Sequence, residues 1–188
     1  MIEFEQAALD IIATGAVFSY QVAGEGNNII YGLDAGFEQS QLLVNAIGSE
    51  SGQRFLNIFE DGPVALEIDV GGKWEITISP VARISPPSTL EDFYVPMLDT
   101  TGIYDQGSVR SISIDGPAAI LIKTDDRTAD VVASGEANLI VYAASAASQE
   151  VDLVVNEIES FEGTVLLPDC SQACYLDIST GHYTITIP

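Results

Sequence analysis

The chain has 188 residues, 47% of them apolar, which suits one large domain or two small ones and argues against disorder. Six lysines and arginines stand against 28 aspartates and glutamates, a net charge of −22. The cations (Arg54, Lys73, Arg83, Arg110, Lys123 and Arg127) form no stripe that could neutralise a row of phosphates, so neither nucleic acid nor an anionic membrane surface is an expected partner.

No apolar run reaches the about 18 residues of a membrane helix, so membrane insertion is not expected. The opening MIEFEQ is acidic and lacks the basic region of a secretory signal; either the chain stays where it is made or a signal has been removed. The first β-rich run is VFSYQVA (17–23), closed by the turn signal GEGNN. LLVNAI (42–47) follows, with Asn45 set among aliphatic residues, and GSESG and EDGP mark the next turns. WEITISP (74–80) alternates strictly, with Trp74, Ile76 and Ile78 on one face and Lys73, Glu75 and Thr77 on the other. That period marks a half-buried strand with Trp74 in the core, where truncation to alanine would cost roughly 3–5 kcal/mol.

Residues 84–108 are rich in proline: Pro86, Pro87 and Pro96 disfavour a central strand. Phe93, Tyr94, Met97 and Tyr104 make this a linker expected to pack across both halves. The second half continues in the same style. SVRSISI, AAILIKT and TVLLP are strand-like, and IDGP and STGH are turns. Long helical periodicity is absent.

The two halves repeat one another. LLVNAI (42–47) matches LVVNEI (153–158), and GEGNNIIY (24–31) matches GEANLIVY (135–142) without a gap. The same offset carries Asn45 onto Asn156 and Gly52 onto Gly163. With one-residue deletions LEIDVGGKWEITISP (66–80) falls on LDISTGHYTITIP (176–188), and Trp74 on Tyr183. This is an internal duplication. The expected fold is all-β, with two tandem related antiparallel β-sandwich or jelly-roll units from that duplication. The expected boundaries are 1–84 for the first unit, 85–106 for the linker and 107–188 for the second.

QSQLLVNAIGSESGQ (39–53), its second form EVDLVVNEIESFEGTVLLP (150–168) and the closing GKWEITI resemble a repeated β-sandwich domain of secreted and surface-attached bacterial proteins. In that domain a D-L-L-V-N segment is followed by an acidic turn with glycine, then by a closing G-x-W-x-I strand. The resemblance implies the fold and an extracellular or cell-surface habitat. It brings no catalytic residues.

The chemistry-bearing residues are few. His182 takes the place that Lys73 holds in the first half, which reads as a solvated surface residue. There is no GxSxG elbow, no P-loop and no dinucleotide fingerprint, so an enzyme is not expected. TDDRTAD (124–130) gathers Asp125, Asp126 and Asp130, a candidate calcium site beside the plainer reading of a solvated turn. Cys170 and Cys174 lie in CSQAC and are read either as a local disulfide or as two free thiols. Asn45 and Asn156 are expected to satisfy the backbone of a neighbouring turn. Tyr20, Tyr31, Tyr94 and Tyr142 are the aromatic platforms open to a glycan.

The function expected on these grounds is a non-catalytic structural or adhesive surface module. It would act through protein–protein contacts with a scaffold or with copies of itself. The alternatives are a capsid-decorating or tail-associated virion protein, and a calcium- or carbohydrate-binding module.

Overall fold

The computed structural model describes residues 1–58, 61–81, 93–94, 111–148 and 150–188. Most of the expected linker, 85–106, lies outside them. The chain divides into two compact units, Met1–Arg83 and Ile84–Pro188. The fold is mostly β, in antiparallel sheets.

The first unit runs β1 (Ile2–Glu3), α1 (Gln6–Ile12), β2 (Ala16–Ala23), β3 (Asn27–Leu33), β4 (Gln39–Ile47), β5 (Glu50–Leu56), β6 (Ala65–Asp69) and β7 (Lys73–Pro80). One sheet has the order β1-β6-β3-β4 and the other β5-β2-β7. Phe18, Tyr20 and Val22 from one sheet and Ile30, Leu43, Val44 and Leu66 from the other meet in a single core. Burial of these alternating apolar side chains is what holds the two sheets against each other, at about 25 cal/mol per Å² removed from water. The helix α1 (QAALDII) is too short to stand alone, and it is held by Ile11 and Ile12 packing on that core.

The second unit holds β8 (Phe93–Tyr94), β9 (Ser111–Ile122), β10 (Thr128–Ser145), β11 (Val151–Leu166) and β12 (Cys174–Thr186) in the order β11-β10-β12-β9-β8. Its core draws Ile114, Ile120, Val131, Leu139, Val141, Val155, Leu176, Tyr183 and Ile185 from its four long strands. The chain passes Gly116–Pro117 through a cis bond midway along β9.

Strand pairing follows one pattern in both units. Ile29 faces Asn45 and Tyr31 faces Leu42; Ile140 faces Asn156 and Tyr142 faces Leu153. A register shift falls after Ile30 in the first unit and after Val141 in the second. Val22 faces Trp74, and Ala133 faces Tyr183.

Three expectations need correction. The turns expected at IDGP (114–117) and STGH (179–182) are not there: β9 and β12 run straight through them, paired with each other on both sides of a register shift. Trp74 sits on the inward face of β7, opposite the core residue Val22, yet it is 44% exposed, whereas Tyr183 is fully buried. The reason is topological: among the described residues β7 is the last strand of its sheet, while β12 is flanked by β10 and β9. Asn45 and Asn156 are both exposed on their strands. The asparagines that serve turns are others: Asn28, wholly buried, whose Nδ2 donates to the Gly48 carbonyl, and Asn57, whose Nδ2 donates to the Ala13 carbonyl and whose Oδ1 accepts from the Gly62 amide.

Candidate functional surface

The residues singled out for chemistry are dispersed by the fold. Asp125 and Asp126 are exposed in the turn before β10 and Asp130 lies on β10 itself. The Asp126 amide donates to Thr124 Oγ1 at 3.0 Å, and Asp130 Oδ1 accepts from Thr164 Oγ1 at 2.6 Å. Among the described residues no group of three or more His, Cys, Asp or Glu side chains is placed to hold a metal ion. Cys170 and Cys174 are joined in a disulfide. Asp169 beside it has its carboxyl held below the usual range, chiefly by hydrogen bonds from the Ser171 hydroxyl and amide.

His182 is exposed, and its Nδ1 lies 2.6 Å from Asp115 Oδ1 across the β12–β9 pairing. Ser134 is its cross-strand neighbour on the other side. Ser134, His182 and Asp115 thus form a row on an open sheet face. The row has the residue types of a nucleophilic triad without its geometry: among the described residues no side-chain hydrogen bond joins Ser134 to His182, and all three are exposed to water. Tyr20 is buried and its hydroxyl donates to Glu50 Oε1 at 2.6 Å, so it is no platform for a glycan. Tyr94 has no described side chain.

What the fold does bring together is the repeated sequence itself. On β3 and β4, alternation points Ile30, Val44 and Ala46 into the core and leaves Asn27, Ile29, Tyr31, Leu42, Asn45 and Ile47 less buried. The pairs Tyr31–Leu42, Ile29–Asn45 and Asn27–Ile47 lay these six residues side by side. On β10 and β11 the pairs Tyr142–Leu153, Ile140–Asn156 and Asn138–Ile158 do the same. Residue for residue, the two sets are identical. Several neighbours between them differ: Asn28 becomes Leu139, Ile30 becomes Val141 and Ala46 becomes Glu157.

This is the reverse of what packing alone would retain. Ile47 is 89% exposed and Ile158 70%, with Leu42, Leu153 and Tyr142 also exposed. A fully exposed isoleucine forgoes the roughly 1.5–3 kcal/mol that burial would give it. Scattered exposed apolar residues need no explanation, but a patch of one composition in two places does. The sequence held the signal, since the repeat was legible; the face that the repeated residues occupy was not. No family model and no curated protein matches the chain.

Proposed function

We propose that the chain is a non-catalytic structural or adhesive surface module, built as two tandem related β-sandwich units, that works through protein–protein contacts. The observation that carries this reading is the paired patch: the same six side chains in the same cross-strand register on each unit. Each patch joins exposed aliphatic side chains to a tyrosine and two asparagines, an apolar centre with hydrogen-bonding groups of the kind found at protein interfaces. Two like patches make each chain bivalent. A bivalent chain that contacts copies of itself assembles past a dimer, and one that meets a scaffold gains avidity.

The net charge of −22 opposes self-association at low salt. At 1 M salt the screening length falls to about 3 Å and the apolar contact is left to act. Sedimentation velocity across a salt and calcium series is the test. The reading expects species larger than a dimer at high salt. A strict monomer under every condition, together with a turnover abolished by an Asp or Glu substitution, would reverse it in favour of an enzyme.

The disulfide in CSQAC supports an extracellular or cell-surface setting, since such bonds persist in oxidising compartments. Among the described residues no helix is long and apolar enough to cross a membrane. A virion-associated module would use the same patches. Carbohydrate binding is the reading favoured by the outward Tyr142, and a glycan array tests it; calcium binding would raise the melting temperature on calcium addition.

A further inference from the structure

The two units differ in how their closing strands are paired. In the second, residues 182–186 of β12 pair with β10 on one side and with residues 111–115 of β9 on the other. In the first, β7 pairs with β2 in the corresponding register, and among the described residues its other edge takes no strand. Among the described residues, β7 therefore lacks the second partner that β12 has in β9.

The consequence is written in the side chains. Tyr183 and Ile185 are buried, with Ile114 and Ile112 of β9 directly opposite them. Trp74 and Ile76 hold the same positions on β7, and there Trp74 is 44% exposed while Ile76 is only partly buried. The helix α1 also packs on β7, but a helix cannot supply the strand's missing backbone partners.

We propose that the edge of β7 turned away from β2, which no described strand occupies, is a strand-addition site whose occupant is the β7 strand of a second copy of this chain. The second unit shows what such an occupant must carry: an extended, antiparallel segment with apolar side chains at alternate positions, as in the Ser-Ile-Ser-Ile run of β9. β7 itself has that pattern, Trp-Glu-Ile-Thr-Ile. Antiparallel pairing of two β7 strands about Ile76 sets Ile76 on Ile76 and Trp74 on Ile78. It sets Glu75 opposite Thr77, so no like charges face each other across the pair. The two three-stranded sheets become one continuous sheet about a two-fold axis, an isologous contact that closes at a dimer.

This site is separate from the patches, and the test keeps them apart. The protein used is the full chain carrying Ile47→Ser and Ile158→Ser, in 1 M NaCl, followed over a concentration series by sedimentation and by fluorescence. Trp74 is the chain's one tryptophan, so its emission reports this edge directly. The expected result is a monomer–dimer equilibrium with a blue shift of emission that tracks the dimer. Ile76→Lys should abolish both, and the milder Ile76→Thr should raise the dissociation constant at least tenfold with an unchanged far-ultraviolet circular dichroism spectrum. A dimer without the shift would overturn the proposal, as would a monomer whose emission never moves. A monomer that shifts only on addition of the peptide SISIDG would overturn the second copy as occupant. Failure of the patch reading shows separately, as absence of species beyond the dimer in the parent chain.

Discussion

Tyr183 and Trp74 are equivalent in register and opposite in circumstance, and their energetics should part accordingly. Tyr183 fills the core of its unit, and its hydroxyl lies 3.0 Å from Ser179 Oγ. Tyr183→Ala should cost about 3–5 kcal/mol in denaturant unfolding, whereas the half-exposed Trp74→Ala should cost no more than about 2 kcal/mol. Equal losses would mean that β7 is covered in the free chain. Burial also raises the pKa of Tyr183, partly offset by the hydrogen bond with Ser179, and burial raises that of Tyr175. Both folded values lie above the ordinary 10.0. The stability this contributes is fully present below that unfolded value and is lost as pH rises through the folded one, because the unfolded chain gives up the proton first. Thermal unfolding followed by circular dichroism from pH 8 to 12 should therefore fall above about pH 10, and less steeply in Tyr183→Phe. A midpoint that is level to pH 12 would contradict the burial of these rings.

At the scale of elements, the approach to each closing run is fixed by close contact, at a turn before β7 in the first unit and at a register shift inside β12 in the second. Gly181 has φ +137°, and a Cβ there would stand 2.7 Å from Leu139 Cδ2. A Cβ on Gly72, the matching position in the first unit, would fall 1.8 Å from the Ala23 carbonyl oxygen. Alanine at either position should destabilise its unit by more than about 1 kcal/mol, read from the shift in denaturant midpoint. The closing strands were legible because period-two alternation announces a half-buried strand: WEITISP lies in β7, and YTIT of YTITIP lies in β12. The helix α1 was not, since seven residues carry too few turns for helical periodicity to stand out. Alternation gave the face of Trp74 correctly and its burial wrongly. Which strand ends a sheet depends on pairings distant in sequence, and no local pattern encodes them. The asparagines failed for a related reason: Asn45 sits among aliphatic residues and Asn28 at the end of a turn signal, and only the pairing register says that the first faces water and the second is buried.

For the whole molecule, the duplicated sequence text proved to be surface as much as core. Ile47→Ser with Ile158→Ser should leave the unfolding free energy within about 0.5 kcal/mol per site of the parent, because both side chains are already in water. The exposed row of Ser134, His182 and Asp115 should likewise tolerate His182→Ala at little cost to stability, and an esterase assay on the parent and this variant checks that the row has no activity to lose. Acidity was legible as repulsion, and the salt dependence follows from it; the partner was not, because affinity depends on which side chains share a face. The most direct measurement is sedimentation velocity in 1 M NaCl on the parent beside the Ile47→Ser/Ile158→Ser chain. If the paired patches are the working surface, the parent forms species larger than a dimer and the double variant, folded to the same extent, forms none. Assemblies beyond the dimer that persist unchanged in the variant would contradict it.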